Sequence, residues 1–144
     1  MILGEKVLEI GSADGTQSLL LSQSKEYVVG IELMEYHYET SLELKKSWKN
    51  LGKNVSNCTF YKKDALEAKD FLKDIDTILM SRVVYHLREN INPVFESFRE
   101  SKIENIVLVG CPRREKNWIN GGETGDTMGQ ICLLCFSNRN GGVA

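Results

Sequence analysis

Short apolar runs alternate along this chain with longer segments in which apolar residues recur every three or four positions. The short runs are typical of strands buried on both faces, and the periodic segments are typical of amphipathic helices. The predicted strands are 6–10, 27–32, 57–61, 77–80 and 106–109, and the predicted helices are 16–24, 36–51, 65–73 and one beginning at 92–93. This alternation predicts an α/β fold with a doubly wound, mainly parallel sheet covered by helices on both faces.

Local signals mark the ends of two helices and a change of character near the end of the chain. Gly52 is placed to stop the helix at 36–51, and Asn92 followed by Pro93 is typical of a cap and a first helical position. After Gly110 the chain is polar and glycine-rich, except for an apolar segment at 131–136 that we expect to form an edge strand. We predict one domain over residues 1–137 and a flexible tail over 138–144.

Composition and charge narrow the classes of function. The 144 residues carry a net charge of −2, so no broad basic surface indicates a nucleic-acid partner, although such a partner is not excluded. No apolar run approaches the roughly 18 residues of a membrane span. The first residues also lack the basic start and apolar stretch of a signal peptide. We therefore expect a cytoplasmic protein without a membrane partner.

The cysteines do not form the pattern of a metal site. Of the four, Cys132 and Cys135 are close in sequence, whereas Cys58 and Cys111 stand alone. A zinc site needs a second pair or nearby histidines, and the two histidines lie far from 132–135 in sequence. We predict ordinary thiols and no metal.

The first predicted strand runs directly into a loop of small residues, Gly11 to Gly15. The second strand ends on Glu32, about 20 residues after the first glycine, where an acid can hold the hydroxyls of a ribose. This is the pattern of a nucleotide-binding βαβ unit. Small residues stand at relative positions one, three and five rather than one, three and six, which disfavours an NAD-dependent oxidoreductase.

The spacing Glu9-x-Gly11-x-Ala13-x-Gly15 resembles the first motif of the class I S-adenosylmethionine-dependent methyltransferases, with alanine for the middle glycine. The resemblance covers about residues 5–110. It implies a Rossmann-like methyltransferase fold with a shortened C-terminal part, S-adenosylmethionine as cofactor and S-adenosylhomocysteine as product. The cofactor-binding residues that it implies are Glu9, Gly11, Ser12, Ala13, Asp14, Gly15, Glu32, Leu33, Asp64, Ala65 and Ser81.

Physical arguments give each of these positions a role and an alternative. Glu32 would accept bonds from both ribose hydroxyls, and Asp64 would accept one from the adenine amino group or instead cap the next helix. Backbone amides of the loop would face the carboxylate of the methionine moiety. Glu9 would complement its ammonium group or hold the loop in shape, while Asp14 fits a turn or cap better than a ligand contact.

The segment after the fourth strand supplies the candidates for chemistry. His86 is the predicted general base, with Tyr85 and Arg82 as partners in the acceptor site, because all three follow the carboxyl end of that strand. The alternative is that His86 packs against the next helix. Arg113 and Arg114 would either hold an anionic acceptor or form a solvated turn.

The leading hypothesis is thus a methyltransferase acting on a small molecule, a nucleoside or tRNA, with the acceptor itself unidentified. The alternative is a non-catalytic S-adenosylmethionine-binding module that needs a partner subunit. Because the segments that usually contact the acceptor look shortened, either the acceptor is small or a partner subunit or second copy completes the pocket.

Overall fold

The computed structural model describes residues 4–110 and 131–135. The strands are β1 (Lys6–Ile10), β2 (Tyr27–Glu32), β3 (Cys58–Lys62), β4 (Thr77–Ser81), β5 (Asn105–Val109) and β6 (Ile131–Cys135). The helices are α1 (Thr16–Ser22), α2 (Glu35–Asn50), α3 (Val84–Leu87) and α4 (Ile91–Arg99), with 3₁₀ helices at Ala65–Asp74 and Arg88–Asn90. The expected tail at 138–144 and the arginines at 113 and 114 lie outside the described residues.

These strands form one sheet in the order β3-β2-β1-β4-β5-β6. The first five are parallel, and β6 pairs antiparallel with β5 at the edge. The predicted doubly wound sheet and the predicted edge strand are therefore confirmed. Because chain order reverses between β1 and β4, the sheet has a switch point beside the end of β1, where ligands of such folds bind.

Side-chain alternation along each strand divides the core between the two faces of the sheet. Leu8 and Ile10 of β1 point into a large apolar cluster that includes side chains from the 3₁₀ helix at Ala65–Asp74 and from α4. The opposite face buries Leu19 of α1 together with Phe60 of β3, and α2 packs against them. Each fully buried apolar side chain contributes about 1.5–3 kcal/mol, so this two-sided burial holds the sheet together.

Helix ends agree with the sequence at Gly52 and disagree at Asn92. The N–H of Gly52 donates to the Lys49 carbonyl and that of Lys53 to the Trp48 carbonyl, which is the Schellman arrangement that ends α2. In contrast, α4 starts at Ile91 after a cap at Asn90, so the predicted start at Asn92 was wrong. A proline fits the third position as well as the first, because no N–H of the first turn has an acceptor within the helix.

Asp76 lies at the opposite edge of the sheet from the carboxyl ends of the parallel strands. Its carboxylate accepts bonds from the N–H groups of Glu5 and Lys6, at 3.1 and 3.2 Å, and from the hydroxyl of Thr77. Its own carbonyl accepts from Glu104 and Asn105. The hydrogen bonds of Asp76 thus join the starts of β1, β4 and β5, and its role is structural.

Replacing Asp76 by alanine removes the acceptor of two backbone N–H groups. We expect the Asp76→Ala variant to lose about 1–3 kcal/mol of unfolding free energy in urea titrations. Asp74→Ala, at a neighbouring exposed carboxylate, is the control and should change little. Equal stability of the two variants would contradict the structural role of Asp76.

Candidate functional site

The carboxyl ends of the five parallel strands meet at one edge of the sheet and bring the predicted site residues together. The loop 11–15 follows β1, Leu33 follows β2, and Asp64 lies two residues after β3. Arg82 follows β4 and starts the segment that leads into α3. The site residues predicted from four separate stretches of sequence therefore lie at one edge, on both sides of the switch point.

Gly11 and Gly15 occupy backbone conformations that favour glycine. Their φ angles are 73° and 82°, in the left-handed region. Space is also restricted: a Cβ on Gly11 would lie 2.7 Å from Cγ2 of Val83, and one on Gly15 would lie 2.6 Å from Cζ of Phe60. The first glycine therefore lets the segment after β4 approach the loop, and the second lets the loop pack onto β3.

Glu32 joins the loop to the start of α2. One carboxylate oxygen accepts the N–H of Ala13 at 2.8 Å, and the other accepts the N–H of Met34 at 2.9 Å. Ala13 itself has a φ of 47°, a conformation that few alanines adopt. Each carboxylate oxygen has a second lone pair, so Glu32 can accept two further bonds from a ligand.

Most backbone amides of the loop are used within the protein. Those of Gly11 and Ser12 donate to the Ile31 carbonyl, that of Gly15 to the Ser12 carbonyl, and that of Thr16 to the Asp14 carboxylate. Asp14 therefore caps the start of α1. Its own N–H has no acceptor among the described residues and is available to a ligand. Several loop amides were predicted to face the carboxylate of the methionine moiety. Within the loop, the N–H of Asp14 is the amide that has no acceptor among the described residues.

Ser12 lies beneath the loop rather than at its surface. Ser12 is 4% exposed, its Cβ lies 2.9 Å from the position a Cβ on Gly30 would take, and its hydroxyl has no hydrogen-bond partner among the described residues. The side chain thus packs against β2. Any ligand contact of Ser12 would have to come from its backbone.

Glu9 is a buried acid that holds α1 to the sheet. It is 2% exposed, and its carboxyl group accepts hydrogen bonds from the hydroxyl and the N–H of Ser18. Burial raises the pKa of Glu9 from 4.5 to about 8, and the negative charges of Asp14 and Glu32 add to the increase. These contacts join β1 to α1, the helix that follows the loop.

Asp64 forms a capping box at the start of the 3₁₀ helix Ala65–Asp74. Its carboxylate accepts the N–H of Leu66 at 2.9 Å, while the Glu67 carboxylate accepts the N–H of Asp64 at 2.8 Å. The capping alternative is therefore present in the structure. Ala65 packs against the large apolar cluster, which fixes the position of the cap at the edge of the sheet.

An exposed apolar rim follows β2. Leu33 and Met34 are 58% and 59% exposed, and Leu66 after β3 is also exposed. Sequence reasoning singled out Leu33 but missed Met34, whose N–H holds Glu32, and Val83, which faces Gly11. No local signal could have found either residue, because both roles depend on contacts between distant segments.

The rings of Tyr85 and His86 lie next to each other after β4, in a tilted arrangement. Their centroids are 4.2 Å apart with an angle of 45° between the planes, and both side chains are exposed. The backbone N–H of His86 donates to the Val83 carbonyl. Ser81, the last residue of β4, pairs with Val109, and Arg82 donates its N–H to the Val109 carbonyl at 2.8 Å. The predicted acceptor-site residues therefore share one turn.

Residues 4–110 and 131–135 contain no cluster of metal ligands and no helix suited to span a membrane. No group of three or more His, Cys, Asp or Glu side chains in this part of the chain is arranged to hold a metal ion. No helix there is both long and apolar enough to cross a bilayer. Cys58 is a buried free thiol, and burial raises its pKa to about 12.

Comparisons with known proteins give matches by structure and not by sequence. No family model matches the chain, and no curated protein matches it. Magnesium protoporphyrin IX methyltransferase from Synechocystis PCC 6803, solved with bound SAM, is similar with a TM-score of 0.66 and 18% sequence identity. That alignment covers 91% of this chain and 68% of the other.

Two further solved structures show the range of proteins with this fold. Monomeric WbdD gives a TM-score of 0.71 at 17% identity, over 92% of this chain and 36% of that chain. Precorrin 8w decarboxylase from Methanobacterium thermoautotrophicum gives 0.58 at 19% identity, over 78% and 59%. At such identities the likeness establishes the fold, and this chain spans only part of each of these structures.

Two substitutions test the backbone conformation of the loop. One replaces a glycine by alanine, and the other replaces an alanine by glycine. We expect Gly11→Ala to lower the unfolding free energy by about 1–3 kcal/mol, because it adds strain and a contact with Val83. Ala13→Gly should instead raise it by about 0.5–1 kcal/mol, because the φ of 47° is relieved. Urea titrations of both variants measure the unfolding free energy. A lower unfolding free energy for Ala13→Gly than for the wild type would contradict the positive φ of Ala13.

The pKa of Glu9 predicts a pH dependence of stability. Between pH 4.5 and about 8 the folded protein keeps a proton that the unfolded chain releases, so the unfolding free energy falls as pH rises through this window. Glu9→Gln keeps the acceptor for Ser18 and lacks the titration. We therefore expect the melting temperature of Glu9→Gln, measured relative to that of the wild type, to increase from pH 5 to pH 8.

The control for this experiment is Glu67→Gln. The hydrogen bond from the Asp64 N–H lowers the pKa of Glu67, so Glu67 stabilises the fold above its ordinary pKa and the effect is lost as pH falls. Over pH 5–8 the difference between Glu67→Gln and the wild type should therefore stay constant, and it should shrink only as the pH falls below 4.5. A constant difference between Glu9→Gln and the wild type over pH 5–8 would contradict a raised pKa.

The similar solved structures, with TM-scores of 0.66 and 0.71, share the overall fold of this chain. The resemblance inferred from Glu9-x-Gly11-x-Ala13-x-Gly15 is thus confirmed at the level of the fold. This chain has the Rossmann-like fold of the class I S-adenosylmethionine-dependent methyltransferases.

Proposed function

We propose that the protein is an S-adenosylmethionine-dependent methyltransferase that acts on a small molecule or a nucleoside. The observation that carries the proposal is the position of the Glu32 carboxylate, which lies at the switch point with both of its oxygens already oriented by the N–H groups of Ala13 and Met34. A fixed carboxylate at this place is suited to a ribose, because two adjacent hydroxyls can donate to its two oxygens.

The neighbouring residues fit the other parts of an adenosine-containing cofactor. The exposed apolar side chains of Leu33, Met34 and Leu66 provide a surface on which an adenine ring could lie. The Asp64 carboxylate accepts the N–H groups of Leu66 and Glu67 in its capping box, and its remaining lone pairs could accept from the adenine amino group. The Asp14 N–H, which lacks an acceptor among the described residues, could donate to the carboxylate of the methionine moiety.

The acceptor would lie on the other side of the switch point, beside the turn at 82–86. When bound, S-adenosylmethionine supplies a methyl group already activated on a positively charged sulfur. The protein then has to align the acceptor, exclude water and remove a proton where the acceptor carries one. We propose that the His86 imidazole takes that proton, that Tyr85 orients the His86 ring, and that Arg82 contacts the acceptor.

A small-molecule acceptor is supported by what a protein of similar structure acts on. One of them is a methyltransferase for magnesium protoporphyrin IX. The identity of 18% leaves the acceptor of this chain open, so the proposal is limited to the class. The precorrin decarboxylase with the same fold gives a reason to test methyl transfer directly.

Calorimetry with S-adenosylhomocysteine, S-adenosylmethionine and NAD tests the proposed cofactor. The role of Glu32 is then measured with two smaller probes, adenosine and 2′,3′-dideoxyadenosine, which differ in the ribose hydroxyls. We expect the wild type to bind adenosine at least roughly tenfold more tightly, because hydrogen bonds to a charged group are worth about 1.5–3 kcal/mol. In Glu32→Gln this ratio should fall towards one.

The ratio of the affinities for adenosine and 2′,3′-dideoxyadenosine separates ribose binding from any disturbance of the loop, because a disturbed loop weakens the binding of both probes equally. Glu35→Gln changes a nearby acid outside the loop contacts and should keep the ratio of the wild type. If neither sulfur compound binds, the proposal fails. If both bind but radioactive methyl is never transferred to a mixture of metabolites and RNA, the protein is instead a cofactor-binding module.

A further inference from the structure

Arg82 has a backbone conformation that arginine rarely adopts. Its φ is 57°, in the left-handed region, and its N–H donates to the Val109 carbonyl at 2.8 Å. Glycine would fill this position without steric cost. A strained non-glycine residue at the carboxyl edge of a sheet is the kind of outlier from which a functional role can be argued.

The side chain of Arg82 extends over the end of β5. A Cβ on Gly110 would lie 2.8 Å from Cγ of Arg82 and 3.8 Å from its Nε. Gly110 thus leaves the space through which the arginine stem passes. The next residue along the chain, Val83, faces Gly11 of the loop, so Arg82 begins the same turn that borders the crevice at the switch point.

No acidic side chain in the described part of the chain neutralises this guanidinium group. The ion pairs found there involve lysines at the other strands and an arginine of α4. Arg82 is exposed, and the residues nearest to it in the turn, Ser81, Val83 and Tyr85, are uncharged. An arginine that is fixed at its backbone, is supported along its stem and has no acidic partner within residues 4–110 is arranged to bind an anion from outside.

We infer that Arg82 determines acceptor specificity by binding an oxyanion, a carboxylate or a phosphate, carried by the methyl acceptor. The planar guanidinium group can donate two parallel hydrogen bonds to either anion. The inference rests on the proposed function, because it places the acceptor at this turn. It goes further by stating the charge and the chemical group that the acceptor carries.

Arg88 provides a matched control within the same segment. It is also exposed, also has a positive φ, of 50°, and also forms no ion pair among the described residues. It differs in position, because it lies after α3, away from Gly11 and Gly110. A specific anion site at Arg82 should therefore leave Arg88 unaffected, whereas simple charge screening would affect both.

The test is an NMR titration of the protein saturated with S-adenosylhomocysteine, with inorganic phosphate, acetate and neutral acetamide as separate probes at constant ionic strength. The signals followed are the backbone amides of Val83 and Gly110 and the side-chain Nε–H of the two arginines. We expect saturable shifts with phosphate, acetate or both, and none with acetamide. The anion that binds more tightly identifies a phosphoryl-bearing or a carboxyl-bearing acceptor.

Two variants establish that the response comes from the guanidinium group. Arg82→Gly should bind the anion roughly tenfold or more weakly, since bonds to charged groups are lost, while Arg88→Gly should stay within about twofold of the wild type. Both glycine variants should melt at or above the wild-type temperature because each relieves a positive φ. Arg82→Lys, which keeps the charge without the planar fork, should retain part of the affinity.

The inference is overturned if neither anion produces a saturable shift, if Arg88 responds as strongly as Arg82, or if Arg82→Gly binds as the wild type does. Failure of the proposed function appears differently. In that case S-adenosylhomocysteine does not bind at the start of the experiment, and the anion titration of the free protein still reports on Arg82.

Discussion

The hydrogen bonds of the Glu32 carboxylate are the constraint on which the rest of the site depends. They connect the amide of Ala13, after β1, to that of Met34, before α2, and so fix the distance between the first two strand ends. The left-handed backbone of Ala13 is maintained by this contact, because its N–H must point at the acid. Removing the acid would release both segments, so binding and local structure cannot be separated by deletion alone.

Strain and close packing are concentrated along the same edge. Ala13 and Arg82 lie on opposite sides of the switch point with positive φ angles, and Gly11 admits Val83 between them. Such features persist only where the surrounding structure compensates for them. Here the compensation comes from the parallel sheet, whose two apolar faces are buried against helices. The buried core therefore stabilises an edge of the sheet whose backbone conformations at Ala13 and Arg82 are strained.

Much of the fold could be predicted from the chain because its signals are local. Strands such as Tyr27–Glu32 are apolar runs, and the end of α2 follows from Gly52. The start of α4 could not be placed, since Asn90 and Asn92 carry the same local signal, and the Asn90 side chain forms no capping hydrogen bond. The turn of α3 was not predicted either, because four residues are too few for a periodic pattern.

The candidate site divides in the same way. The alternation of strands and helices determined the class of fold, and spacing placed the loop 11–15 and Glu32 at strand ends. The resemblance to the class I methyltransferases then implied Asp64 and the expected cofactor. The tertiary structure decided how each group is used: Glu9 is bound to Ser18, Asp14 and Asp64 act as caps, and most loop amides stay within the protein. These outcomes depend on hydrogen bonds and burial between segments far apart in sequence, and spacing along the chain carries no information about such contacts.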